Sequence, residues 1–213
     1  MLLLRELYRA WFIDFGPFGG KRPSNWKNGL LKDILDLKKD GIQQGERKDL
    51  PYLPIDAMPM RSFAITELRP NSEAKSSLIL FKPKDILVGA MRVYFHRVLP
   101  APIDGITRST CFVLSPRKEI YFPYGLLVCD TDACIDFANS RSKGSTMPYA
   151  VWEGGMGEFI IDIPTEDILS KFGEITRPFI EQLQHSFFEN KALVELRDNL
   201  LPKLLSGEIQ LTK

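Results

Sequence analysis

A chain of 213 residues, 44% hydrophobic and 26% charged, is long enough to bury a core and to form one or two domains. Its net charge of +1 counts mildly against nucleic acid as a partner. Its three cysteines, an odd number without repeated spacing, exclude a disulfide framework. Cys129 and Cys134 flank Asp130 and Asp132, but His96 and His185 lie elsewhere, so a zinc site lacks a second pair of ligands. Buried free thiols and no bound metal are expected instead.

In chain order, residues 2 to 13 form a predicted helix with Leu3, Leu4, Leu7, Tyr8, Trp11 and Phe12 on a wide apolar face. Gly16-Pro17-Phe18-Gly19-Gly20 ends it. Arg5, Glu6 and Arg9 interrupt this start and no small-residue cleavage site follows, so it is neither a signal peptide nor a membrane span. A cytoplasmic protein without membrane contact is expected. The helix begins in mid-run without a capping residue, as if it were the tail of something longer. Pro23-Ser24-Asn25-Trp26-Lys27 and an apolar stretch from Leu30 to Leu37 come next, then polar loops, then a short strand from Pro51 to Ile55.

From Leu78 the pattern turns to β. Strands are expected at Leu78 to Phe81, Ile86 to Gly89, within Arg92 to Leu99, at Thr110 to Leu114 and at Phe159 to Ile163, with an aromatic-rich stretch from Tyr121 to Val128. Asp132 to Ala138 reads as a helix. Short strands with a few helices give an α+β domain rather than a βαβ repeat. Thr165 can cap a final helix whose first turn holds Glu166 and Asp167. Pro178 predicts either two helices or a kink near Thr176. Phe179, Leu183 and Phe187 step by four, and Leu193, Leu196, Leu200 and Leu204 continue by three, four and four. Leu201 and Leu205 widen the apolar face, and Ser206-Gly207 supplies a stop. A terminal helix apolar on more than one side calls for another helix as its partner.

A catalytic constellation is missing from the sequence. Neither histidine sits in a recognisable catalytic setting, His185 lying on the long helix among Gln182, Gln184 and Ser186, and Gly154-Gly155-Met156-Gly157 lacks the Lys-Ser/Thr of a phosphate loop and reads as a turn. No cofactor motif is found and no cofactor is expected.

Charge is uneven along the chain. Arg61 to Lys118 holds ten Lys/Arg (61, 69, 75, 82, 84, 92, 97, 108, 117, 118) against four acids (67, 73, 85, 104). From Thr165 onward the balance reverses, six against eight. Arg141-Ser142-Lys143-Gly144-Ser145-Thr146, followed by Tyr149, gathers the side-chain types that contact phosphates and base edges. Arg92 and Arg108 sit at strand or turn positions of the basic middle. Read from the residues alone, the loop is more readily an ordinary solvent-exposed connection, and the scattered cations a solvated surface.

Leu196-Arg197-Asp198-Asn199-Leu200-Leu201-Pro202-Lys203-Leu204-Leu205-Ser206-Gly207-Glu208-Ile209 resembles the segment that closes the DNA-specificity subunits of type I restriction–modification systems. Leu7 to Phe18 resembles the end of that family's central conserved helix, and Pro23 to Trp26 the opening of its recognition domains. A Gly-Ser-Thr-like turn as at 144–146 also recurs there. The resemblance covers essentially the whole chain and is weakest in the middle. It implies residues 1–18 as the end of the central helix, 19–164 as one target-recognition domain, and 165–213 as the C-terminal conserved helix. It also implies half a subunit, either natural or cut from a longer chain. A non-catalytic reader of double-stranded DNA is implied, through Arg92, Arg108, Arg141, Lys143, Ser145, Thr146 and Tyr149. The implied partners are modification subunits, which methylate adenine with S-adenosylmethionine, and through them a restriction subunit. Leu7, Trp11, Phe179, Leu183, Phe187, Leu193, Leu196, Leu200 and Leu204 form the implied interface with a second copy or another half. The alternative is a helical interaction or scaffold module without DNA binding.

Overall fold

The structure, a computed structural model, describes residues 1–75 and 77–209. Helix α1 (Leu2–Phe12) leads into nine strands, among the described residues: β1 (Lys27–Leu30), β2 (Leu35–Leu37), β3 (Gly41–Ile42), β4 (Leu78–Phe81), β5 (Ile86–Gly89), β6 (Val98–Pro100), β7 (Gly105–Arg108), β8 (Cys111–Pro116) and β9 (Ile160–Ile163). Helices α2 (Tyr121–Cys129) and α3 (Asp132–Ser140) separate the last two strands, and α4 (Glu166–Leu205) closes the order. The fold is α+β. Every strand pairing is antiparallel: β2-β8-β5-β6 form the central sheet, β3-β4-β7 a second, and β1-β9 a ribbon.

The central strands are apolar without alternation because both their faces are covered. Ile86, Leu87, Val88, Val113 and Leu114 are all fully buried. Helix α2 is covered as completely, with every residue from Phe122 to Cys129 buried. Phe12 joins the two ends of the chain to this core. Its ring lies 4.8 Å from Tyr124 of α2, 4.7 Å from Phe172 of α4 and 5.7 Å from Trp26. Aromatic rings at such separations add about 0.5–1.5 kcal/mol per pair beyond area burial. All three cysteines are buried and unpaired, and burial pushes the Cys111 thiol up to about 11.

Several expectations need correction. Pro51 to Ile55 is not a strand: Tyr52 alone bridges to Arg69 and Ile106, and a 3-10 turn begins at Ile55. The apolar stretch from Leu30 to Leu37 is not one element: it holds the last residue of β1, a 3-10 turn and β2. The alternation from Arg92 is a 3-10 turn over Val93–Phe95, and only Val98–Pro100 is extended. The Thr165 hydroxyl makes no cap bond, because it faces the Asp167 carboxylate instead. Helix α4 is one element through Pro178 and Pro202, not two. It ends one residue before Ser206, and Gly207 follows at φ 75°. No helix among the described residues is long and apolar enough to cross a membrane.

Candidate nucleic-acid interface

The polar loop is built as a closed hairpin. Lys143 and Tyr149 exchange both backbone hydrogen bonds at 2.9 Å, so the residues between them are projected as one turn. Gly144, at φ 87°, takes the left-handed conformation that opens it. Ser145, Thr146, Met147 and Tyr149 are exposed on it. The loop is seated on the sheet, since Ala150 donates to the Ala90 carbonyl at 2.8 Å and Arg92 donates to that of Pro148 at 2.7 Å.

This seating brings together residues far apart in sequence. Arg92, itself left-handed at φ 50°, sits against the loop at the start of the Val93–Phe95 turn, with Tyr94 exposed beside it. Arg141 precedes the loop at the end of α3, its guanidinium 4.5 Å from the Phe137 ring centroid. Arg108 is exposed at the end of β7, two residues before Thr110, whose carbonyl accepts from Ala90 and Met91. Arg92 is thus joined to the turn that carries Lys143, Ser145, Thr146 and Tyr149, while the Arg141 guanidinium donates to the Gly154 carbonyl at 3.4 Å and Arg108 stands on the neighbouring turn.

Some of the cations elsewhere on the chain are paired, while others, such as Lys21, Lys27 and Lys171, have no carboxylate within ion-pair distance among the described residues. Lys84, Arg117, Lys118 and Arg177 each pair with a carboxylate. Among the described residues, no carboxylate lies within ion-pair distance of Arg92, Arg108, Arg141 or Lys143. Unpaired guanidinium and ammonium groups, with hydroxyls and a tyrosine on a raised turn, can neutralise phosphates and hydrogen-bond to base edges.

A second group of residues was not legible in the sequence. Arg5 of α1 donates to both oxygens of Asp130, at 2.7 and 3.1 Å, and to the Arg61 carbonyl at 3.3 Å. His96 Nε2 lies 3.0 Å from both the carbonyl and Oδ1 of Asp130. Both are acceptors, so this nitrogen carries the proton. Asp132 takes Arg61 Nη1 at 2.8 Å, which holds its carboxyl below the usual range. These residues line part of a cavity of about 570 Å³ between α1, α2 and β9. No cluster of His, Cys, Asp and Glu among the described residues could hold a metal ion. The two aspartates beside the cysteines serve ion pairs, while the thiols face the core.

The apolar faces proposed for helix pairing fall into two sets. Trp11 packs on Phe172 and Phe18 within the chain, and Phe187 is buried. Leu7 and Leu183 are half-buried against the core. Phe179, Leu193, Leu196 and Leu200 are exposed, and Leu204 is half-exposed. Past Phe187 the domain-facing stripe also runs on uncovered as Val194, Leu201 and Leu205, the last 84% exposed.

No family model matches the chain. In sequence it is 25% identical, over 233 aligned residues, to the type I restriction enzyme MjaIX specificity subunit of Methanocaldococcus jannaschii, covering 96% of this chain and 52% of that protein. In fold it is similar to the HsdS subunit from Thermoanaerobacter tengcongensis, with a TM-score of 0.59 and 17% identity, over 92% of this chain and 52% of that one. The type I restriction-modification S subunit from M. genitalium gives a TM-score of 0.55 at 16% identity, over 87% of this chain and 48% of that one. The chain spans about half the length of the relatives it matches.

Proposed function

We propose that this chain, similar in sequence and fold to type I specificity subunits, is a non-catalytic DNA-recognition subunit reading one part of a split target. The observation that carries the reading is the closed, exposed turn from Lys143 to Tyr149, seated by backbone bonds against Arg92, where cations without carboxylate partners stand beside exposed hydroxyls and a tyrosine. Phosphates would take Arg92, Arg108, Arg141 and Lys143, while Ser145, Thr146 and Tyr149 would contact base edges in a groove. The exposed half of α4 supports a second role, holding other helices. Its two apolar stripes, Leu193-Leu196-Leu200-Leu204 and Val194-Leu201-Leu205, suit a bundle with more than one partner helix. A second copy, or another recognition half, and the modification subunits with the restriction subunit bound through them are the partners proposed for it. A two-fold pair would read a palindromic split site.

The test is binding to duplex DNA, followed by fluorescence anisotropy between 50 and 200 mM salt. Neutralising three or four phosphates predicts a log–log slope of about −3 to −4. A protein-interaction module without DNA binding gives no saturable binding, and that result would overturn the proposal.

A further inference from the structure

We propose that Asp130 is a positioning residue for the DNA-recognition surface, coupling α1 to both segments that carry its cations. The inference rests on the DNA-binding reading above and goes beyond it. Asp130 closes α2 and lies two residues before Asp132, which opens α3, the helix that delivers Arg141 and the loop from Lys143. Through His96 it also holds the end of the turn that begins at Arg92. Both of that turn's flanking residues are left-handed, Arg92 at φ 50° and His96 at φ 52°. Arg61, at φ 53°, donates its backbone N–H to the His96 carbonyl at 2.8 Å and its side chain to Asp132. Strained backbone persists only where its surroundings over-determine it, and here His96 meets the Asp130 carboxylate directly while Arg61 reaches it through the His96 carbonyl.

Asp130 itself is 1% exposed at its side chain, as is His96. A buried carboxylate needs a charged, hydrogen-bonded partner, and Arg5 supplies a bidentate one from α1. Helix α1 otherwise meets the domain through apolar contacts such as those of Leu4 and Phe12. The Arg5–Asp130 pair is thus a polar link by which a shift of α1 reaches the loop and the turn together.

Amide hydrogen exchange and duplex binding on the full chain, in wild type, Arg5→Met, Arg5→Lys and Arg61→Ala, test this. Arg5→Met should speed exchange at residues 92–96 and 143–149 by about tenfold and weaken duplex binding by a similar factor, leaving β5 and β8 protected. Arg5→Lys, which keeps one charged bond, should recover part of both. If Arg5→Met fails to fold, Arg5→Lys decides, with the same two segments loosening less. Arg61→Ala, whose 58% exposed side chain bonds Asp132 and not Asp130, should leave the turn at 92–96 more protected than either Arg5 variant does. Wild-type exchange in both segments and unchanged affinity of the folded fraction, with only the melting temperature lowered, would overturn the proposal. If wild type itself fails to bind duplex, the DNA reading falls, while the exchange data still decide whether Asp130 positions these segments.

Discussion

Asp130 and Lys143 carry charges of opposite sign under opposite conditions. The carboxylate is buried and answered by Arg5 and His96, while the ammonium is exposed with no carboxylate in reach. The first arrangement serves structure and the second leaves a charge available to a ligand. Lys143→Ala should therefore leave folding intact and weaken duplex binding about equally across sequences. It should also lower the salt slope by about 1, measured by the same salt titration. A substitution at Ser145 or Thr146 should instead alter preference among sequences. Asp132 adds a pH dependence whose sign is fixed. Its folded-state pKa is depressed by Arg61, so its contribution to stability is present above the ordinary carboxylate value and lost as pH falls through the depressed one. Urea unfolding between pH 7 and pH 2 should show wild type losing more stability than Asp132→Asn on acidification. Little of the Arg5 network could be read from the sequence, because its members are 125 and 34 positions apart and no local pattern joins them. The loop was legible, since its residue types are adjacent. Its partnership with Arg92 was not, because only tertiary folding brings Pro148 to that backbone.

Among the elements, α4 runs on where a proline argued for a break. Proline in a helix interior costs about 3 kcal/mol, through a missing N–H and a clash. Leu169, Phe172, Ile180 and Phe187 are buried on both sides of Pro178, and each large apolar side chain so covered contributes about 1.5–3 kcal/mol. Tertiary burial wins. Phe172→Ala, which also strips the contacts to Phe12 and Trp11, should destabilise the chain by about 3–5 kcal/mol in urea unfolding. Leu200→Asp lies beyond the domain and should leave stability unchanged, while abolishing association with any second helix. Sedimentation velocity checks the association. The strands at β4, β5, β8 and β9 were readable because each is a short apolar run bounded by turn residues. Helix α2 was not read as a helix. It is buried on all sides, so its sequence is apolar throughout and carries no 3.6-residue period. The Pro51–Ile55 stretch misled in the other direction, having strand composition but only one bridging residue.

On the scale of the whole molecule, the main core runs from Leu4 to Phe187 beside a smaller cluster of Leu50, Tyr52, Ala74, Leu78 and Ile106, and the remainder of α4 stands clear with apolar residues uncovered. The α+β class and the two helical ends were legible in periodicity and in family resemblance. The partner and the target bases were not, since a helix stripe does not name its neighbour and base readout depends on loop geometry. A domain that presents unpaired cations at one surface and an unsatisfied helix at the other is suited to hold DNA and protein at once. The most direct test of that account is to reconstitute the chain with a type I modification subunit and sequence the adenine methylation it directs on randomised DNA. A discrete split motif, with two-fold symmetry if two copies pair, is the predicted result. Assembly that methylates without sequence preference, or that never engages DNA, would contradict it.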